Sequence, residues 1–187
     1  MRHTVRSTIL ALALIPAVSA GAQGSRTIAI SEPAPATSPV IPAGTSFRSR
    51  LSMAEEAKLT RRVEQADLLT IEGRFAEART ILRAVADEQK AGDSYPAAAL
   101  RRLANVEFGL GRPMVAAKVL EELAKAASEV GDPTVELQAL VDASILYGQE
   151  GRTGKQRELR PRLVRLLDSP AIPEETRRSL AAHLDPK

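Results

Sequence analysis

One recurrence constrains this chain more than any other feature: the same short pattern returns about every forty residues. Glu72-Gly73-Arg74-Phe75, Leu110-Gly111-Arg112-Pro113 and Glu150-Gly151-Arg152-Thr153 place their glycines 38 and then 40 residues apart. A second landmark keeps the same interval, because Ala91-Gly92-Asp93 and Val130-Gly131-Asp132 lie 39 residues apart. Two landmarks with one period mark an internal repeat, and a period of this size means stacked supersecondary units. Around the first glycine, Phe75, Ala78, Ile81 and Leu82 fall at three-and-four spacing, which gives a helix one apolar face. The unit is therefore helix, glycine turn, helix, Gly-Asp loop.

Start and stop signals set the expected helices. The first ends near Glu72 and starts as early as Ser52, with Glu55 three residues on as in a capping box. Its mate runs from Phe75 to Lys90. The second pair covers Ala97–Leu110 and Pro113–Val130, the third Thr134–Glu150 and Lys155–Leu167, with Asp132 as a cap and Pro113 and Pro133 in first turns. Pro161 is expected to kink or restart the last of these. Pro173 with Glu174 and Glu175 opens a final helix, whose Leu180, Ala181 and Leu184 cover the last repeat.

Composition agrees with an all-α chain. Apolar residues make up 44% but aromatics only 3%, much of the apolar content being alanine and leucine; that favours helices over a β-sandwich. There is no cysteine, which removes disulfides, thiolate metal sites, cysteine nucleophiles and a lipid-acceptor cysteine together.

Residues 1–22 read as a secretory signal peptide. Arg2 and Arg6 make a positive start, Ile9 to Ile15 an apolar run, and Pro16 and small residues follow. Cleavage is expected after Ala20 or Ala22, with Ala22 preferred, and the chain is exported to a periplasm or secreted. The run is too short for a stable membrane span, and no later segment is apolar enough. Residues 23–50, punctuated by Pro33, Pro35, Pro39 and Pro42, read as a disordered linker. The repeat domain is 51–187. Without Arg2 and Arg6, 24 basic residues face 23 acidic ones, so net charge does not point to nucleic acid.

The array resembles tetratricopeptide repeats. The first unit carries Ala66, Leu69, Gly73, Phe75, Ala78 and Leu82 at the family's positions. The second carries Leu100, Leu103, Ala104, Gly111, Ala116 and Leu120, with Pro113 in place of the turn aromatic. The third keeps Leu140, Tyr147 and Gly151 but departs at Thr153, Gln156 and Arg160. The period also exceeds the family's usual length of about 34 residues. The resemblance, over roughly 54–167, implies an α-solenoid of three helical hairpins with a C-terminal capping helix, and a concave groove lined by the first helix of each hairpin. Thr60, Val63, Asp67, Thr70 and Ile71 would line it from the first hairpin, Ala98, Arg101, Asn105, Phe108 and Gly109 from the second, and Gln138, Val141, Ile145, Gly148 and Gln149 from the third. Partner binding is expected at Val63, Asp67, Arg101, Asn105, Phe108, Gln138, Val141 and Ile145; the alternative is that these residues are buried between repeats. Arg101 and Asn105 faintly resemble the pair by which some such repeats hold a peptide carboxylate.

Nothing assembles into catalysis. His183 has no identifiable nucleophile or acid partner, and one histidine without cysteines does not make the usual zinc site. Glu55-Glu56, Glu121-Glu122 and Glu174-Glu175 are adjacent pairs, which point about 100° apart on a helix. Arg152, Lys155, Arg157, Arg160, Arg162 and Arg165 form a basic run opposed only by Glu158, expected to be a solvated face. The expected function is a non-enzymatic, cofactor-free and metal-free scaffold that binds a protein or peptide, with no nucleic acid. The alternative is a structural or self-associating helical module.

Overall fold

The structure, a computed structural model, describes residues 49–181. The expected signal peptide, nearly all of the linker, and His183 and Leu184 lie outside the described residues. Among those described there are seven helices and no strand: α1 (Met53–Ile71), α2 (Phe75–Ala91), α3 (Ala97–Gly109), α4 (Pro113–Val130), α5 (Pro133–Gln149), α6 (Thr153–Leu167) and α7 (Glu174–Ala181). The all-α expectation holds for this region.

Local chemistry explains the boundaries. Ser52 caps α1 reciprocally: its hydroxyl accepts from the Glu55 N–H at 3.3 Å, while the Ser52 N–H donates to the Glu55 carboxylate at 2.8 Å. The Ser52 hydroxyl also donates to the Glu55 carboxylate at 2.7 Å, and this bond first, then that from the Ser52 N–H, holds the carboxyl below its usual pKa range. Asp132 caps α5 by accepting from the Val135 N–H at 3.1 Å. Gly73, Gly111 and Gly151 join the paired helices with φ of 76°, 72° and 67°, a region in which a side chain is strained.

The two Gly-Asp loops share a sequence but not a conformation. In the second, Gly131 takes the left-handed angle, with φ 73°. In the first, Gly92 does not; Asp93 takes it instead, with φ 50°. Gly92 serves close approach, since a Cβ there would lie 2.5 Å from Leu51 Cγ and Cδ2. The Arg50 N–H donates to the Gly92 carbonyl at 2.7 Å, and the Arg50 side chain meets Asp93 at 2.5 Å.

Pro161 does not restart α6, which runs unbroken from Thr153 to Leu167. Pro161 and Arg157 are both exposed, so water can serve the carbonyl that loses its donor.

Each helix from α1 to α6 packs against the next in sequence, α1 also touches α3, and α7 touches α5. The core runs through all of them, from Leu59 and Ala66 through Leu82, Leu103, Leu123 and Leu140 to Leu163. Ala66, Ala78, Ala104 and Ala116 are all buried, as the expected small contacts require. Ile172, just ahead of α7, is buried with them, and Leu180 packs against the core. No helix among the described residues is long and apolar enough to cross a membrane.

Candidate functional site

Alternate helices are tied laterally by charge. Arg101 and Arg102 are consecutive on α3 and so diverge by about 100°. Arg102 Nε donates to both carboxylate oxygens of Asp67 on α1, at 2.7 Å each. Arg101 Nη1 donates to Asp142 on α5 at 3.3 Å. Two neighbouring arginines thus link α3 to α1 and to α5, a row of charge-tied alternate helices. On the even-numbered helices, Arg83 and Lys90 of α2 both meet Glu122 of α4, and Arg162 of α6 donates to the Ala124 carbonyl of α4 at 3.2 Å.

The expected binding residues separate into three groups on this row. Val63 and Val141 are core side chains, 7% and 1% exposed; they support the row from within. Asp67 and Arg101 are half-buried and engaged in the lateral ion pairs. Asn105 is exposed, Phe108 is 50% exposed, and Gln138 and Ile145 are half-buried. Arg101 already has an internal carboxylate in Asp142, so a peptide carboxylate would have to compete for it. The site therefore offers a polar rim at Asp67, Arg101, Asn105 and Asp142 beside one large apolar side chain, Phe108. Gly109 follows it, and the Phe75 ring sits where a Gly109 Cβ would be, at 2.9 Å.

Buried carboxylates lie behind the row. Glu107, 2% exposed, receives Arg79 Nε at 2.6 Å, and its second oxygen is 3.8 Å from Arg112. Glu136, 8% exposed, receives Arg162 Nε at 2.6 Å. Tyr147 is buried and donates its hydroxyl to Glu121; burial, then that bond, raise its pKa. The Tyr95 phenol is pushed up to about 12 by burial, with Asp132 adding to the shift and Arg101 opposing it. Burial pushes Glu122 up, but the hydrogen bonds from Lys90 and Arg83 outweigh it and leave its carboxyl below the usual range.

A hollow of about 350 Å³ lies between the α2–α3 loop and α4, lined by Lys90, Tyr95, Glu122, Lys125 and Glu129 among others. Its charges pair off as Lys90 with Glu122, Lys125 with Glu129, and Asp93 with Arg50 beyond the lining. No cluster of three His, Cys, Asp or Glu residues able to hold a metal occurs among the described residues. In the basic run, Arg162 turns inward to Glu136 and Lys155 pairs with Glu158.

Sequence reasoning missed Arg102 and Asp142. Their signal was opposite charge about one period apart: Asp67 and Arg102 are separated by 35 residues, Arg101 and Asp142 by 41. No family model, curated protein or solved structure matches the chain, so its assignment rests on its own residues.

Proposed function

We propose that this chain is an exported, tetratricopeptide-like α-solenoid that binds a protein or peptide along α1, α3 and α5 and catalyses no reaction. The observation that carries this reading is the lateral row itself, tied by Asp67–Arg102 and Arg101–Asp142, with Phe108 left half-exposed on it. One hairpin cannot bury its apolar face alone, so hairpins stack and generate an extended surface. An aromatic side chain beside an exposed amide and a rim of paired charges suits an extended segment or a helix with one apolar anchor. Supporting export, residues 1–22 carry a positive start, an apolar run and small residues at two cleavage frames.

The test is crosslinked capture from the envelope fraction of the source cell, comparing the parent with Phe108→Ala and Asn105→Arg. Both positions are exposed, so circular dichroism should match the parent. Loss of the same captured species in both variants is the expected result. Recovery of the parent's full set by both would remove the groove from consideration.

A further inference from the structure

Helix α1 carries two stripes. One is the core stripe of Leu59, Val63, Ala66 and Leu69. The other lies on the opposite side and consists of Ala54, Ala57, Arg61, Glu64, Leu68 and Ile71, all exposed. Its spacing runs three, four, three, four, three, the seam of a helix that packs along its length on another helix. Leu68 is 62% and Ile71 83% exposed. Nothing among the described residues covers these side chains, whereas the solvent side of a helix is ordinarily charged or polar.

The order of residues in this stripe is self-complementary. Lay a second α1 antiparallel to the first, about a two-fold axis passing between residues 62 and 63. Ala54 then faces Ile71 of the other copy, Ala57 faces Leu68, and Arg61 faces Glu64. Every layer pairs small with large or positive with negative, and each occurs twice, as an isologous contact requires. Neither Arg61 nor Glu64 makes an ion pair within the described residues, although they sit three apart on one helix. Elsewhere that spacing is used: Arg74 pairs with Glu77, Lys155 with Glu158 and Glu174 with Arg177.

We propose that the occupant of this stripe is a second copy of the chain, giving a two-fold dimer through antiparallel α1 helices. This contact uses a different face of α1 from the groove residues Val63 and Asp67, with Ile71 at the border, and does not depend on groove binding. Charge complementarity selects the second copy: a generic apolar peptide would leave Arg61 and Glu64 without partners, whereas the twofold arrangement satisfies both.

Sedimentation equilibrium of the purified full chain across the micromolar range should give the mass of two chains, dissociating on dilution. Arg61→Glu and Glu64→Arg should each weaken the dimer by about a hundredfold, because each sets like charges opposite one another. An equal mixture of the two variants should recover it, since the heterodimer restores both pairs. The double variant Arg61→Glu/Glu64→Arg should dimerise as the parent does. All these positions are exposed, and matched circular dichroism spectra would establish that folding is unchanged. A parent that stays monomeric, as it would if another part of its own chain covered the stripe, overturns the proposal. So does a mass that climbs beyond two chains, or a dimer indifferent to either single reversal.

Discussion

Glu107 occupies a position that its counterparts fill with uncharged side chains. Four residues before each turn glycine stand Leu69, Glu107 and Tyr147, and all three are buried. Glu107 is held by Arg79 at 2.6 Å, and its other oxygen has no hydrogen bond. Breaking a buried pair costs more than replacing it, since the remaining charge loses its partner. Arg79→Ala is therefore expected to destabilise by about 1–3 kcal/mol, and Glu107→Leu to stay within about 1 kcal/mol of the parent or exceed it. Urea melts of the two variants decide the ranking; the reverse order would mean the carboxylate itself supplies net stability. The two tyrosines make a second residue-scale test, since the chain has no other and no tryptophan. Both are shifted upward, so neutral phenols stabilise the fold at any pH below the unfolded value of about 10. That contribution disappears as pH rises through the folded values. Tyrosinate absorbance should accordingly appear above pH 10 in the folded chain and near it in urea.

At the scale of the helix, small residues set how closely hairpin partners approach. Ala66 on α1 and Ala78 on α2 are fully buried where these helices pack together. Ala78→Leu should overpack the contact and cost about 1–3 kcal/mol, read as a lowered melting temperature; a melt equal to the parent's would show that the helices do not meet there. Most helix boundaries were legible in the sequence because their causes are local. Ser52 with Glu55, Asp132 with Pro133, and the three turn glycines each carry their own signal. The restart expected at Pro161 did not follow, for the converse reason: a proline's cost depends in part on whether its freed carbonyl meets water, and that is decided by which face of α6 it occupies. Val63 and Val141 are buried because helix rotation is set by packing on both neighbours, which position within a repeat does not specify. Ile172 carried no periodic signal at all, lying between helices.

On the scale of the described region, the lateral ion pairs were the least legible part, since either of two neighbouring helices can supply the partner. They also give its stability a dependence on acid. Glu122 joins α4 to α2 through Arg83 and Lys90, and its carboxyl is held below the usual range. A depressed folded value means this contribution is complete above the unfolded pKa, about 4.3. It is lost as pH falls through the folded one. Glu122→Gln should melt below the parent at about pH 7, with the gap narrowing as pH falls below the unfolded value; a gap that persists unchanged in acid would mean that the variant's loss comes from packing.

The neighbour-on-neighbour order of the helices bears on how this chain reaches its final form. Almost every partner of α1 through α6 is the next element along, so loop closures stay short and little must be searched. A chain delivered end-first, from a ribosome or through a translocation pore, would find α2 arriving just as α1 needs cover, and α3 just as α2 does. Assembly then keeps pace with emergence, and Ile172 and Leu180 join a core that α5 has already entered.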